Sequence, residues 1–172
     1  MPGGQDWLYS LAMKKIPDII VRIFLKAAYL ASIIFCFIFR PATKSAIIAV
    51  WLKNEVLIVK NSYYHKYVIP GGYINRGEHP LEAAVREVKE EIGIFAAPHQ
   101  LKKICVLKET FHYKRETINC FELILNAPPQ IRLDYREVVW AEFMTLRKAL
   151  NLKLSSPVRM FLVKYLTNIT NH

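Results

Sequence analysis

Hydrophobic and polar positions in the first forty residues follow a helical period. At 100° per residue, Asp18, Arg22, Lys26, Tyr29, Ser32, Cys36 and Arg40 fall on one narrow stripe. Ile19, Ile20, Ile23, Phe24, Ala27, Leu30, Ala31, Ile34, Phe35 and Ile38 cover the much wider remainder. The pattern predicts one amphipathic helix over about 17–39, stopped by Pro41. From Ser45 the pattern changes. Residues 45–52 and 55–60 are β-branched runs split by Lys53-Asn54, which predicts a hairpin. An aromatic loop (61–67) leads to a short strand, a Gly-Gly turn and another strand over 68–74. A helix is expected over 80–92, with Pro80 in its first turn and Gly93 at its end. Paired strands follow at 102–111 and 116–125, a further strand at 137–144, a short helix near 145–150 and a last helix from Ser155 to about 168. Strands and helices in this mixed order predict an α/β sandwich around a mixed sheet.

The chain divides into a helical segment, 1–44, and a domain, 45–172. The first part has six basic and two acidic residues, the second 18 and 12. Ala27 to Phe39 carries no charge, but 13 residues fall short of the ~20 that a membrane span needs. The run extends back to Ile19 only by including Arg22 and Lys26. Three readings of the helix are open: one lying on an anionic membrane surface through residues 17–40, a tilted span, or packing against the domain or a second copy in a homodimer. Its basic ends suit lipid headgroups. Arg40-Pro41 follows the apolar run where small residues would prepare cleavage, which argues against a signal peptide.

With 53% hydrophobic residues in 172, the chain can bury a core and is not disordered. A net charge of +10 favours polyanionic partners. No basic stripe interleaved with aromatics stands out, and no DNA partner is expected. Cys36, Cys105 and Cys120 form no CxxC pair, which excludes a disulfide scaffold and fits a reducing, cytoplasmic compartment.

Four of the six glycines, Gly71, Gly72, Gly77 and Gly93, fall within 23 residues. The helix between them places Glu87, Glu90 and Glu91 on one face, with Arg86 beside them. Leu81, Val85, Val88 and Ile92 form its buried stripe, and the small Ala83 and Ala84 are expected to leave space above the acids. Clustered carboxylates repel one another, and hard oxygen donors suit Mg²⁺ or Mn²⁺. Residues 72–94 hold five acidic and three basic side chains inside an otherwise basic domain. An acidic hole with a basic rim suits a metal-bridged polyphosphate.

Gly72-x5-Glu78-x7-Arg86-Glu87-Val88-Lys89-Glu90-Glu91-Ile92-Gly93-Ile94 resembles the Nudix box, GX5EX7REUXEEXGU with U aliphatic, at every specified position. The strand order from Ser45 to about Met144 is similar to the Nudix fold, an α/β/α sandwich; the first forty residues lie outside the likeness. The resemblance implies Mg²⁺- or Mn²⁺-dependent hydrolysis of a nucleoside diphosphate linked to another moiety. It implies Glu87, Glu90 and Glu91, with the Gly71 carbonyl, as metal ligands, and a Glu78–Arg86 ion pair fixing loop to helix. Gly72 would permit the turn, and Gly93 would end the helix. Glu90 and Glu91, then Glu137 and Glu142, then Glu109 and Glu116, are candidates to activate water. Tyr67, together with Tyr63, Tyr64 and His65, is placed to line the mouth of the cleft. Phe111, Tyr113 and Arg115, flanking His112 and Lys114, are placed to stack a base and hold a phosphate. The ADP-ribose branch tends to carry a proline where this chain has Lys108-Glu109-Thr110, and Tyr113 is out of register for the dinucleoside-polyphosphate branch, so the substrate stays open. Other readings are an RNA 5′-end pyrophosphohydrolase and a non-catalytic nucleotide sensor. Intact box glutamates disfavour the sensor.

Overall fold

A computed structural model describes residues 6–111, 113–133 and 135–170, with side-chain surroundings for 18–110, 113–133 and 135–167. Seven strands make one sheet: β1 (Ala42–Leu52), β2 (Glu55–Asn61), β3 (Tyr67–Val68), β4 (Gly71–Tyr73), β5 (Leu101–Phe111), β6 (Lys114–Leu125) and β7 (Val138–Thr145). Their order is β3-β2-β1-β6-β5, with β4 also paired to β1 and β7 to β2. β1 and β6 run parallel and the other pairs antiparallel, so the sheet is mixed as expected. The β1–β2 hairpin turns at Lys53-Asn54, where Lys53 adopts φ 55°.

The period-two alternation sorts side chains to two cores. Ala46, Ile48 and Val50 of β1 and Leu57 and Val59 of β2 meet Ala83, Ala84, Val88 and Ile92 of α2 (Pro80–Ile92). Ala49 and Trp51 with Val56 and Ile58 face the other way. They meet Ala149 of α3 (Leu146–Leu150) and Val158, Phe161 and Leu162 of α4 (Ser156–Thr170). Helices on both faces give the α/β/α layering.

The helix α2 occupies the predicted residues. His79 caps it: the ring Nδ1 accepts the Leu81 N–H at 3.3 Å, and the His79 N–H donates to Glu82 Oε2 at 3.1 Å. Gly93 closes it in the left-handed conformation, with φ 72°. Ala83 and Ala84 do not leave space above the acids. Both are fully buried beneath the sheet, and their small size lets α2 approach β1.

The N-terminal helix α1 runs Asp6–Phe39, past the expected start at residue 17. Pro17 is tolerated inside it; the residues before it, DWLYSLAMKKI, contain neither glycine nor proline. The partly or fully covered residues of α1 are Asp18, Val21, Arg22, Leu25, Tyr29, Ile33 and Cys36, while Lys26, Ser32 and Arg40 of the expected polar stripe are exposed. Arg136 Nε donates to Asp18 Oδ1 at 3.0 Å, and Arg22 Nε donates to the Tyr135 carbonyl at 2.8 Å. The Tyr29 ring lies 5.6 Å from Tyr63 and 5.7 Å from Tyr64, and Phe37 packs edge-on against Tyr113 at 5.0 Å. The apolar face points away from the domain. Ile20, Ile23, Phe24, Leu30, Ile38 and Phe39 are each at least 61% exposed.

Candidate active site

The site is built where β4, α2 and the segment before β7 meet. Gly71 and Gly72 belong to a strand paired with β1 rather than to an open turn. A Cβ on Gly71 would lie 2.3 Å from the Ala46 carbonyl oxygen, so only glycine fits that pairing. The Gly71 N–H donates to Glu91 Oε2 at 2.9 Å. At Gly72 a Cβ would lie 2.3 Å from Glu87 Oε1, so the glycine opens the seat that the carboxylate occupies.

Arg86 ties this corner together. Its Nε and Nη2 donate to the two oxygens of Glu78 at 2.8 and 3.1 Å. Its Nη1 donates to Glu87 Oε1 at 2.6 Å and Glu90 Oε2 at 3.1 Å, and Nη2 also reaches the Tyr73 carbonyl at 3.0 Å. The Arg86 hydrogen bonds, then the Asn75 N–H, hold Glu78 below the usual carboxylate range. Glu87 shifts the other way: burial raises it, and Arg86 offsets only part of that.

A cleft of about 500 Å³ opens above this corner. Gly71, Gly72, Arg86, Glu87 and Glu90 line it, with Glu137 from the opposite side. Glu91 is buried, its carboxylate turned to Gly71. Glu137 Oε1 accepts from the Tyr63 hydroxyl at 2.7 Å, and Asn61 Nδ2 donates to that same hydroxyl at 3.1 Å. Burial first, then the charge of Glu137, pushes the Tyr63 hydroxyl far up, so it remains a donor. Lys114 is buried in the wall, 3.1 Å from Glu116 and donating to the Tyr73 hydroxyl. Burial pulls Lys114 down, but Tyr73 and Glu116 outweigh it and hold the ammonium above its usual range.

Other expected residues lie elsewhere. Tyr67 packs edge-on against Trp140 at 5.5 Å on the α4 side, because the alternation of β3 turns it away from the cleft. Tyr113, at φ 65° in the β5–β6 turn, is half-exposed against Phe37, and Arg115 is exposed. Phe111 ends β5 with its side chain outside the described residues, where His112 also lies. Glu142 is exposed beside Lys148 at 3.4 Å. The inward turn of Lys114 and the cleft wall formed by α1 through Tyr29, Ser32, Ile33 and Cys36 went unread in the sequence.

Among the described residues no three acid, His or Cys side chains gather around one point, since Arg86 stands between Glu87 and Glu90 and Glu91 turns to Gly71. In kind, the donors fit a hard cation. They are carboxylate oxygens, and at Glu87 the Arg86 hydrogen bond offsets only part of the burial that raises that carboxylate.

A sequence profile of the NUDIX domain matches residues 41–162. The chain belongs to the Nudix family. The Bacillus subtilis protein YjhB is 31% identical over 80 residues, 42% of this chain and 38% of the relative. A bis(5′-nucleosyl)-tetraphosphatase of Caenorhabditis elegans is 30% identical over 93 residues, 51% of this chain and 66% of the relative. The chain therefore spans less than two thirds of these curated relatives. The binary complex of a C. elegans Ap4A hydrolase superposes with a TM-score of 0.64 at 24% identity, covering 76% of this chain and 99% of that one. The Nudix match starts at residue 41, so α1 is an addition to the family domain that nonetheless walls its cleft.

Proposed function

We propose that the chain hydrolyses the pyrophosphate bond of a nucleoside diphosphate linked to another moiety. The carrying observation is that acids from three parts of the fold, Glu87 and Glu90 on α2, Glu116 on β6 and Glu137 before β7, line one cleft with the buried ammonium of Lys114 in its wall. Family membership and relatives named for tetraphosphate and Ap4A hydrolysis support the reading.

Glu87, Glu90 and Glu91, with the Gly71 carbonyl, would hold Mg²⁺ or Mn²⁺, which when bound neutralises phosphate charge and makes a water more acidic. Lys114 adds a fixed positive charge toward the phosphates. Arg86 and Glu78 hold the loop to the helix so that Glu87 keeps its seat. The oxygen of water bonds to one phosphorus, the bridging P–O bond breaks, and two phosphate monoesters leave. Glu90 and Glu137, which line the cleft, or Glu91 beside Gly71 would take the proton, and the Tyr63 hydroxyl donates to Glu137. The test is monophosphate release from a nucleotide panel with Mg²⁺. Glu91→Gln and Glu137→Gln are expected to lower kcat by 100-fold or more. Tight nucleotide binding without turnover by the parent chain would favour the sensor instead.

We also propose that α1 lies flat on an anionic bilayer at the cytoplasmic face. The stretch 18–39 has a mean hydropathy of 2.1 and Cys36 is its one buried residue, while Lys26 and Arg40 are exposed to meet headgroups. Contacts with the domain run from Asp18 to Phe37, about 28 Å along the helix. An upright helix would draw Arg136 and the tyrosine cluster into a hydrocarbon layer of about 30 Å. A flat one puts lipid on the apolar face and the domain on the polar stripe. Co-sedimentation of the full chain with phosphatidylglycerol vesicles, lost in Phe24→Ser/Phe35→Ser, tests this. A dimer in solution with no vesicle binding would overturn it.

A further inference from the structure

Resting on the hydrolase reading above, we infer that the moiety joined to the nucleoside diphosphate is an apolar chain held in the bilayer. The lining of the cleft holds two kinds of residue. Glu87, Glu90, Glu137 and Lys114 suit a diphosphate. Ile33 and Cys36 of α1 with Ile47, Ile69, Ile118 and Val158 add apolar surface, beside the hydroxyls of Ser32, Ser45 and Ser155. Of these, Ile69, Ile118 and Val158 are at most 2% exposed. Of the three serines beside these residues, Ser45 and Ser155 are buried and the Ser32 hydroxyl donates to the Tyr29 carbonyl, so they offer the hydroxyls of a sugar few partners, while a hydrocarbon chain needs none. The rings of Tyr29, Tyr63 and Tyr64 offer a separate platform for the base.

The inference needs α1, which belongs to no part of the family match. Its inner residues Ile33 and Cys36 line the cleft while Ile34, Phe35 and Ile38 on its outer face are exposed. Only the thickness of that helix, about 10 Å, separates the apolar wall from the bilayer on which α1 is proposed to rest. The reaction balances as before: water adds to one phosphorus, the bridging P–O bond breaks, and a nucleoside monophosphate leaves a phosphorylated lipid behind.

Matched pairs test this. The full chain is assayed with Mg²⁺ and phosphatidylglycerol vesicles on hexadecyl esters of ADP, GDP, CDP and UDP, and on the methyl esters of the same four. Each methylene moved from water into an apolar site is worth roughly a factor of four. For at least one base, kcat/KM for the hexadecyl ester is expected to exceed that of the methyl ester at least 10-fold. Ile33→Asn, on the cleft side of α1, is expected to bring that ratio below about threefold while vesicle co-sedimentation is retained. Equal or faster turnover of the methyl esters, or a ratio untouched by Ile33→Asn, overturns the inference and leaves the hydrolase reading intact. Failure of every ester and of the soluble nucleotide panel overturns both.

Discussion

Arg86→Met removes the cation of the active-site corner and keeps most of its aliphatic length. Five hydrogen bonds go at once: two to Glu78, one each to Glu87, Glu90 and the Tyr73 carbonyl. They are unequal. Glu90 is 59% exposed and its contact contributes at most about 1 kcal/mol. Glu78 and Glu87 are 14% and 12% exposed, and breaking a buried pair costs about 3–5 kcal/mol because a charge stays behind. The 27% exposure of Arg86 and the freedom of the loop reduce this to about 2–3 kcal/mol. For a chain of this size that is a fall in Tm of roughly 5–10 °C. Urea titration at pH 7 measures it. The pH dependence then separates charge from packing. Glu78 is held low in the fold, so its contribution is present above the ordinary carboxylate pKa and is lost as pH falls through the lowered one. Glu87 is raised in the fold, and losing Arg86 raises it further, so acid relieves the variant more than the parent. Both effects narrow the gap on acidification. A gap that stays constant from pH 7 to about pH 3.5 would mean that methylene packing, not the carboxylates, carries the loss, and the reasoning would be refuted.

Gly72→Ala places a methyl 2.3 Å from Glu87 Oε1 and is expected to lower kcat at least 10-fold with Tm little changed, read from monophosphate release and a melting curve side by side. Phe161→Ala opens a cavity in the α4-side core, where Phe161 is fully buried; guanidinium titration should show a loss of about 3–5 kcal/mol without change in KM. Lys114→Met strands the buried Glu116 and is expected to cost about 3 kcal/mol at pH 7. Since the Lys114 pKa is raised in the fold, its contribution is complete below the ordinary lysine pKa and is lost as pH rises through the raised one. The parent and variant curves of stability against pH should therefore converge in strong alkali.

Local pattern made the sheet and α2 legible. The β-branched runs of β1 and β2, the Lys53-Asn54 turn, Pro80 and Gly93 each act within a few residues of themselves, so their consequences stay near them in the chain. What depends on distant partners was not legible. The alanines at 83 and 84 signal close approach, but sequence does not say whether a strand or a ligand makes it. The narrow stripe of α1 could be read as polar, yet nothing in it announced that Tyr29 would meet Tyr63 or that Cys36 would wall a cleft. Tyr67 was misread because a two-residue strand gives too little alternation to fix its facing. The inward turn of Lys114 depends on Tyr73 and Glu116, the first of which lies far back in the chain.

The pairing of β1 with β6 has a consequence for how the chain matures. The first strand cannot take its parallel neighbour, from Ala42 with Arg115 to Leu52 with Leu125, until residue 125 has been made. At about 5–20 residues per second, the N-terminal helix waits for several seconds outside the ribosome before a sheet exists to receive its polar stripe. During that wait the apolar face of the helix is already complete while the surface that will cover its other side is not.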